Sequence, residues 1–127
     1  MSQTLKPIDA AAAARLRDKG ALMVDVREPG EYGRSHIPQS QNMPLSRFEE
    51  IALPAGPKQP VVFYCASGNR TTVARARLAA KAGALDSYVL EGGISAWGRA
   101  GLPLESGRGE GEGRAPGRGL LARWFGL

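Results

Sequence analysis

Apolar residues along this chain fall into short runs separated by glycine, proline and charged turns. Ala21 to Val26 and Val61 to Tyr64 are nearly continuous apolar blocks without strict alternation, the pattern of strands covered on both faces. Pro29 and Gly30 break the chain after the first block. Ser87 to Leu90 reads as a further strand, and Ser40 to Met43 as another.

Helical segments alternate with these strands. Asp9 is placed to N-cap a helix over Ala10 to Lys19, where Leu16 is apolar among Arg15, Arg17, Asp18 and Lys19, and Gly20 is the stop. Leu45 to Leu53 reads as a short amphipathic helix followed by a loop over Pro54 to Pro57. Thr71 to Ala82, rich in Ala, Arg and Leu, is a helix closed by Gly83, and Ile94 to Arg99 a short last one. Strands alternating with helices at this spacing predict an α/β fold of three layers, a parallel sheet covered by helices on both faces.

The pattern changes at Glu105. Residues 105–119, ESGRGEGEGRAPGRG, combine glycine with alternating charge and offer too little apolar area to offset the entropy of ordering them. The expected organisation is one domain over residues 1–104, a flexible Gly/Arg-rich linker over 105–119 and a short amphipathic segment over 120–127. That last segment would put Leu120, Leu121, Trp124 and Phe125 on one side of a helix, to pack on its own domain or to dock on a protein or membrane surface.

Composition narrows the function classes. The chain has 127 residues, 43% of them hydrophobic and 23% charged, which is ordinary for one domain with a real core. Its net charge of +5 raises nucleic acid as a partner, but the arginines, thirteen of the seventeen basic residues, are scattered singly from Arg15 to Arg123 with no cluster interleaved with aromatics. A nucleic-acid partner is therefore not expected, and the positive balance suits a small anionic substrate instead. A single cysteine rules out an intramolecular disulfide, the single histidine is His36, and no Cys/His cluster has metal-ligand spacing, so neither metal nor cofactor is expected. The N-terminus lacks the apolar core of a signal peptide and no stretch has the length to cross a bilayer; the expected location is the cytoplasm, where a thiol stays reduced.

That lone thiol opens the stretch Cys65-Ala66-Ser67-Gly68-Asn69-Arg70, directly after the Val61–Tyr64 strand and before a helix. Ligands in open parallel sheets bind beyond the carboxyl ends of strands, where Cys65 falls. If residues 66–70 curl back over the sulfur, their amides and the adjoining helix N-terminus favour a thiolate. Gly68 gives the tight loop its freedom, Ser67 and Asn69 supply short polar side chains, and Arg70 is placed to hold an anionic substrate by a forked contact. The alternative is that Cys65 is a small buried apolar residue ending a strand, but nothing apolar follows it until Val73 apart from the methyl of Ala66.

Several further stretches fall into a recognisable order. Val24-Asp25-Val26-Arg27-Glu28 with Glu31-Tyr32, then His36-Ile37-Pro38 with Asn42-Met43-Pro44, then the Cys65 to Arg70 loop, then Leu90-Glu91-Gly92-Gly93 with Trp97 and Ala100-Gly101-Leu102-Pro103, together resemble the single-domain rhodaneses, the thiosulfate sulfurtransferase family. The resemblance covers most of the first hundred residues. It implies a rhodanese-like α/β/α domain with a central parallel sheet of about five strands. It implies that the Cys65 thiolate takes the outer sulfur of a donor such as thiosulfate, releasing sulfite, and passes it from a persulfide to cyanide or a thiol. The amides of Ala66, Ser67, Gly68, Asn69 and Arg70 would hold the charge of the terminal sulfur.

Two comparisons sharpen that expectation. Cell-cycle phosphatases of similar fold have five residues between Cys and Arg; here there are four, and the loop holds no acid to protonate a leaving group. Ala66 and Ser67 are neutral where members proficient with thiosulfate carry basic residues, so a protein persulfide or another sulfane-sulfur compound is an alternative donor. A carrier or binding module acting through partner proteins is the second functional reading. Around the loop, Asp25 resembles the family's recurring aspartate and is expected to brace it, Arg27 to pair with Glu28, His36 to hydrogen-bond backbone in a turn outside the site, Gly92-Gly93 to form a turn, and Trp97 to lie in the core. The turn after Pro38 reads Gln39-Ser40 where the family has Gly-Ala.

Overall fold

Five strands, β1 (Lys6–Ile8), β2 (Leu22–Asp25), β3 (Gln41–Asn42), β4 (Val61–Tyr64) and β5 (Ser87–Leu90), form one sheet in the order β1-β5-β4-β2-β3. Every neighbouring pair is parallel. The computed structural model describes residues 5–107. The helices are α1 (Ala10–Asp18), α2 (Pro29–Arg34), α3 (Asn69–Val73), α4 (Arg75–Ala82) and α5 (Gly93–Arg99), with a 3-10 helix over Leu45–Glu50.

Alternation along β4 sorts the core into two halves. Val61, Phe63 and Cys65 face one side with Val24, Phe48 and Leu78, whereas Val62 and Tyr64 face the other with Ala13, Met23, Leu90 and Trp97. The 3-10 helix and α4 therefore cover one face, and α1 and α5 the other. This is the three-layer arrangement, and it explains why β4 reads as an unbroken apolar run: all four of its residues are buried. In register, Asp25 of β2 lies opposite Tyr64 of β4, so the two strands end together and Cys65 emerges beside the chain that leaves β2.

Differences from the expected elements have local causes. Strand β1 escaped notice because it is three residues long, contains Pro7 and lies on the sheet edge, where its partner β5 defines it. Pro29 and Gly30 do not merely break the chain: Pro29 opens α2, a favoured place for a residue with fixed φ, and the Glu28 amide donates to Glu31 Oε1 at 3.1 Å. The helix expected over Leu45–Leu53 is instead a six-residue 3-10 helix whose Arg47 is non-helical, pinned by the buried Phe48. The helix expected over Thr71–Ala82 starts at Asn69 and is interrupted at Ala74, after a β-branched Thr-Thr-Val run that suits helix poorly.

The expected domain end at residue 104 is also passed. Glu105 pairs antiparallel with His36, through amide bonds of 2.8 and 2.9 Å, and the Gly107 amide donates to the Gly33 carbonyl at 2.7 Å. Composition missed this because backbone bonds, not apolar area, attach the segment. The remainder of the expected linker, from residue 108, and the expected amphipathic segment over 120–127 lie outside the described residues. Among the described residues no helix is long and apolar enough to cross a membrane.

Candidate active site

Cys65 sits at the end of β4 with its side chain turned into the loop that follows. Gly68 has φ +103°, a left-handed conformation that glycine adopts without strain, and this turns its amide back to donate to Cys65 Sγ at 3.1 Å. The helix α3 begins at the next residue. Thr71, fully buried in its first turn, places Oγ1 3.8 Å from Sγ and donates to the Gly68 carbonyl at 3.0 Å. Thr72 donates to the same carbonyl at 2.8 Å, so two hydroxyls hold the Gly68–Asn69 peptide, the one directly after the amide that faces the sulfur.

The electrostatic balance at the sulfur favours the thiolate. Burial is the largest influence and pushes the Cys65 pKa up, but hydrogen bonding from the backbone of Thr71, Gly68 and Arg70 and from the Thr71 hydroxyl outweighs it, and the pKa is lowered. Cys65 is therefore more than the apolar end of a strand, although it is buried and packs with Phe63 and Leu78.

The loop is held from below by the segment after β5. The amide of Ile94 donates to the Cys65 carbonyl at 2.9 Å and that of Ser95 to the Ala66 carbonyl at 3.1 Å. Gly93, with φ +58°, lies so close that a Cβ there would come within 2.6 Å of the carbonyl carbon and oxygen of Ala66 and nearer still to the Cys65 carbonyl oxygen. The Gly92-Gly93 pair is thus a turn, as expected, and its second glycine is required by the loop.

Arg70 does not stand free over the cradle. Its two terminal nitrogens donate to the two carboxylate oxygens of Glu31 at 2.8 and 2.9 Å, a forked ion pair between α3 and α2. The bond to Arg70 holds the Glu31 carboxyl at about 2, and the same bond raises the Arg70 pKa, to which the Cys65 charge also contributes. The fork expected to hold an anionic substrate already has a protein partner.

The Asp25 side chain is engaged by its neighbour Arg27. The carboxylate is fully buried and is bound by Arg27: Nε donates to Oδ1 at 3.0 Å, the outer nitrogen to Oδ2 at 2.7 Å, and the Arg27 amide to Oδ1 at 2.8 Å. The expected Arg27–Glu28 pair gives way to this one because Asp25 lies in the same buried corner, whereas Glu28 turns outward to accept from Ser46 Oγ at 2.7 Å. Burial lowers the Arg27 pKa, but Asp25 more than offsets it and the net shift is upward. Arg27 also donates to the Ser35 carbonyl at 2.6 Å, so the pair supports the neighbouring turn.

In that turn His36 is buried, with Nδ1 2.8 Å from the Tyr32 carbonyl, Nε2 3.1 Å from a Glu105 carboxylate oxygen, and its ring stacked on that of Tyr32. It lies outside the thiol loop, as its lack of a triad implied. Gln39 takes φ +68° at the position where the family places glycine, and Arg17 donates both to its side chain and to the Pro38 carbonyl. Trp97 is in the core and donates to the Pro103 carbonyl at 2.7 Å.

The structure places the Gly68 amide on the Cys65 sulfur, pairs Asp25 with Arg27 and Arg70 with Glu31, and adds Thr71 to the residues around the thiol. The signal for Thr71 was its place in the first turn of a helix directly after the loop. Glu31 is part of a recognisable motif, but its pairing with Arg70 has no local signal.

Residues 9–100 match the rhodanese-like domain family. The chain is 35% identical over 107 residues to the thiosulfate sulfurtransferase GlpE of Pseudomonas fluorescens, a match covering 84% of this chain and 96% of that protein. It is 40% identical over 103 residues to an uncharacterized Synechocystis protein, where it covers 80% of this chain and spans 57% of that protein's length. Among solved structures, a rhodanese-related protein from Thermoplasma volcanium superposes with a TM-score of 0.68 at 31% identity, covering 79% of this chain and 97% of that one. Sequence order, fold and loop agree, and the chain belongs to the rhodanese-like domain family.

Proposed function

We propose that this protein is a sulfurtransferase that carries a sulfane sulfur on Cys65. The observation that carries the reading is the Gly68 amide aimed at Cys65 Sγ in a loop that lowers the thiol's pKa. A thiolate at the end of a parallel strand attacks the outer sulfur of a donor; the donor's S–S bond breaks, its electrons leave with sulfite when thiosulfate is the donor, and Cys65 keeps the sulfur as a persulfide. A nucleophilic acceptor, cyanide or a thiol, then attacks that outer sulfur and restores the thiolate. Amides of the loop from Ala66 to Arg70 are suited to hold the persulfide's charge much as an oxyanion hole holds oxygen.

The GlpE relatives, named as thiosulfate sulfurtransferases, support this class of chemistry. A phosphatase reading is weaker: only four residues, Ala66 to Asn69, separate Cys65 from Arg70, and the Arg70 fork is engaged by Glu31. Small sulfane donors and thiol acceptors, or a protein persulfide partner, fit the site, and a reduced thiol suits the cytoplasm. The test is turnover of a sulfane donor and cyanide to thiocyanate. Wild type is expected to turn over and Cys65→Ser to be inactive while melting at nearly the same temperature; transfer by the Ser variant would overturn the assignment.

A further inference from the structure

The loop's own cation is committed elsewhere. Arg70 is held at two points by Glu31, and Glu31 is itself anchored, since its Oε1 also accepts from the Glu28 amide at the start of α2. Glu28 in turn is tied to Ser46. The Glu31 carboxylate therefore belongs to a fixed corner that does not follow Arg70, and releasing Arg70 to a ligand would cost both bonds of the fork. The other ion pair at the strand ends, Asp25–Arg27, is likewise self-contained.

The charges follow directly. Thiolate, guanidinium and carboxylate together leave one net negative charge at the mouth of the loop; Ala66, Ser67 and Asn69 add no cation, and Arg75 and Glu91, which line the cavity beside the loop, add one charge of each sign. Because its carboxyl is held at about 2, Glu31 stays ionised at any working pH. A dianion approaching this thiolate meets a repulsion that a monoanion meets only half as strongly.

We infer that Glu31 sets the donor preference of the Cys65 loop: by withholding Arg70 it favours monoanionic sulfane donors, thiosulfonates and persulfides, over the thiosulfate dianion. This rests on the sulfurtransferase reading and names its substrate class. In the step itself the Cys65 thiolate forms the new S–S bond, the donor's S–S bond breaks, and the electron pair leaves with a sulfinate from a thiosulfonate or a thiolate from a persulfide. No outside oxidant or reductant is required. Glu31 is a positioning residue, acting through Arg70.

Thiosulfate and methanethiosulfonate test this, because a methyl group replaces one oxygen and removes one charge while the sulfane sulfur is unchanged. With the full chain and cyanide as acceptor, wild type should show a higher kcat/KM for methanethiosulfonate. Glu31→Gln should narrow the ratio between the two donors roughly tenfold, chiefly through a lower KM for thiosulfate. Arg70→Gln, which leaves Glu31 unpaired, should widen it, and decides the matter if the first variant does not fold. A wild-type preference for thiosulfate, or an equal loss for both donors in the variants, would show Glu31 to be only structural and overturn the inference while leaving the sulfurtransferase reading intact. Absence of thiocyanate from either donor with wild type would overturn that reading and the inference with it.

Discussion

The amide of Gly68 donates to the sulfur of Cys65 at 3.1 Å, three residues apart, and it can do so because Gly68 adopts φ +103°. A Cβ at this position would meet Gly92 N at 3.6 Å, which is ordinary contact, so space is not the obstacle; the backbone conformation is. Gly68→Ala is expected to cost about 1–2 kcal/mol for the left-handed conformation or to rotate the amide off the sulfur. Alkylation rate against pH reports the result directly: the wild-type midpoint should lie below that of an ordinary free thiol, and the variant's should move upward.

Thr71 offers one hydroxyl proton to two acceptors. With a thiol at Cys65 the hydroxyl donates to the Gly68 carbonyl, and with a thiolate it gains a reason to turn to Sγ, 3.8 Å away. Thr71→Val keeps the shape and removes the proton. We expect a raised Cys65 pKa and a loss of stability of about 1 kcal/mol from the lost hydrogen bond, since the half-buried Gly68 carbonyl keeps the Thr72 amide and hydroxyl, with Thr71→Ser restoring the pKa. Unchanged alkylation profiles for both variants would exclude a role for the hydroxyl.

Gly93 predicts a remote effect on the thiol. Gly93→Ala would press a methyl against the backbone of Cys65 and Ala66, atoms that cannot move without shifting the loop. Loss of sulfur transfer with several degrees of lost Tm is expected, whereas Gly20→Ala, also at positive φ but with nothing within 4 Å, should lose stability without any effect on the thiol's reactivity.

Acid stability should report the Glu31–Arg70 pair. Glu31 titrates at about 2 in the fold and from an ordinary value of 4.5 otherwise, so its contribution is fully present above that ordinary value and is lost as pH falls through about 2. Allowing for solvent screening of the half-exposed Arg70, the pair contributes about 1–2 kcal/mol. Denaturation in urea between pH 6 and 2, as round limits about the titration range, should show a shallower loss for Glu31→Gln than for wild type. Glu49, held down by Arg77, titrates in the same window and is common to both proteins.

The legible parts of this fold are those in which local pattern and tertiary role coincide. The β4 run is apolar because both faces are covered, and Cys65 with Gly68 is a short-range relation that a tight loop enforces. What escaped was decided by distant partners. Arg70 and Glu31 are 39 residues apart, and no spacing rule joins them. The family resemblance assigns Asp25 to bracing the loop, and its carboxylate is bound by the nearer Arg27. The attachment at Glu105 depends on backbone bonds to His36, for which a Gly-rich, charged sequence gives no sign.

The central claim is that Cys65 holds the transferred sulfur, and intact mass of the reduced protein tests it most directly. After incubation with excess thiosulfate or methanethiosulfonate, wild type should gain the mass of one sulfur, mapped to Cys65, and lose it to cyanide as thiocyanate. A protein that gains no sulfur from either donor, or one that gains it equally in the Cys65→Ser variant, would contradict the account.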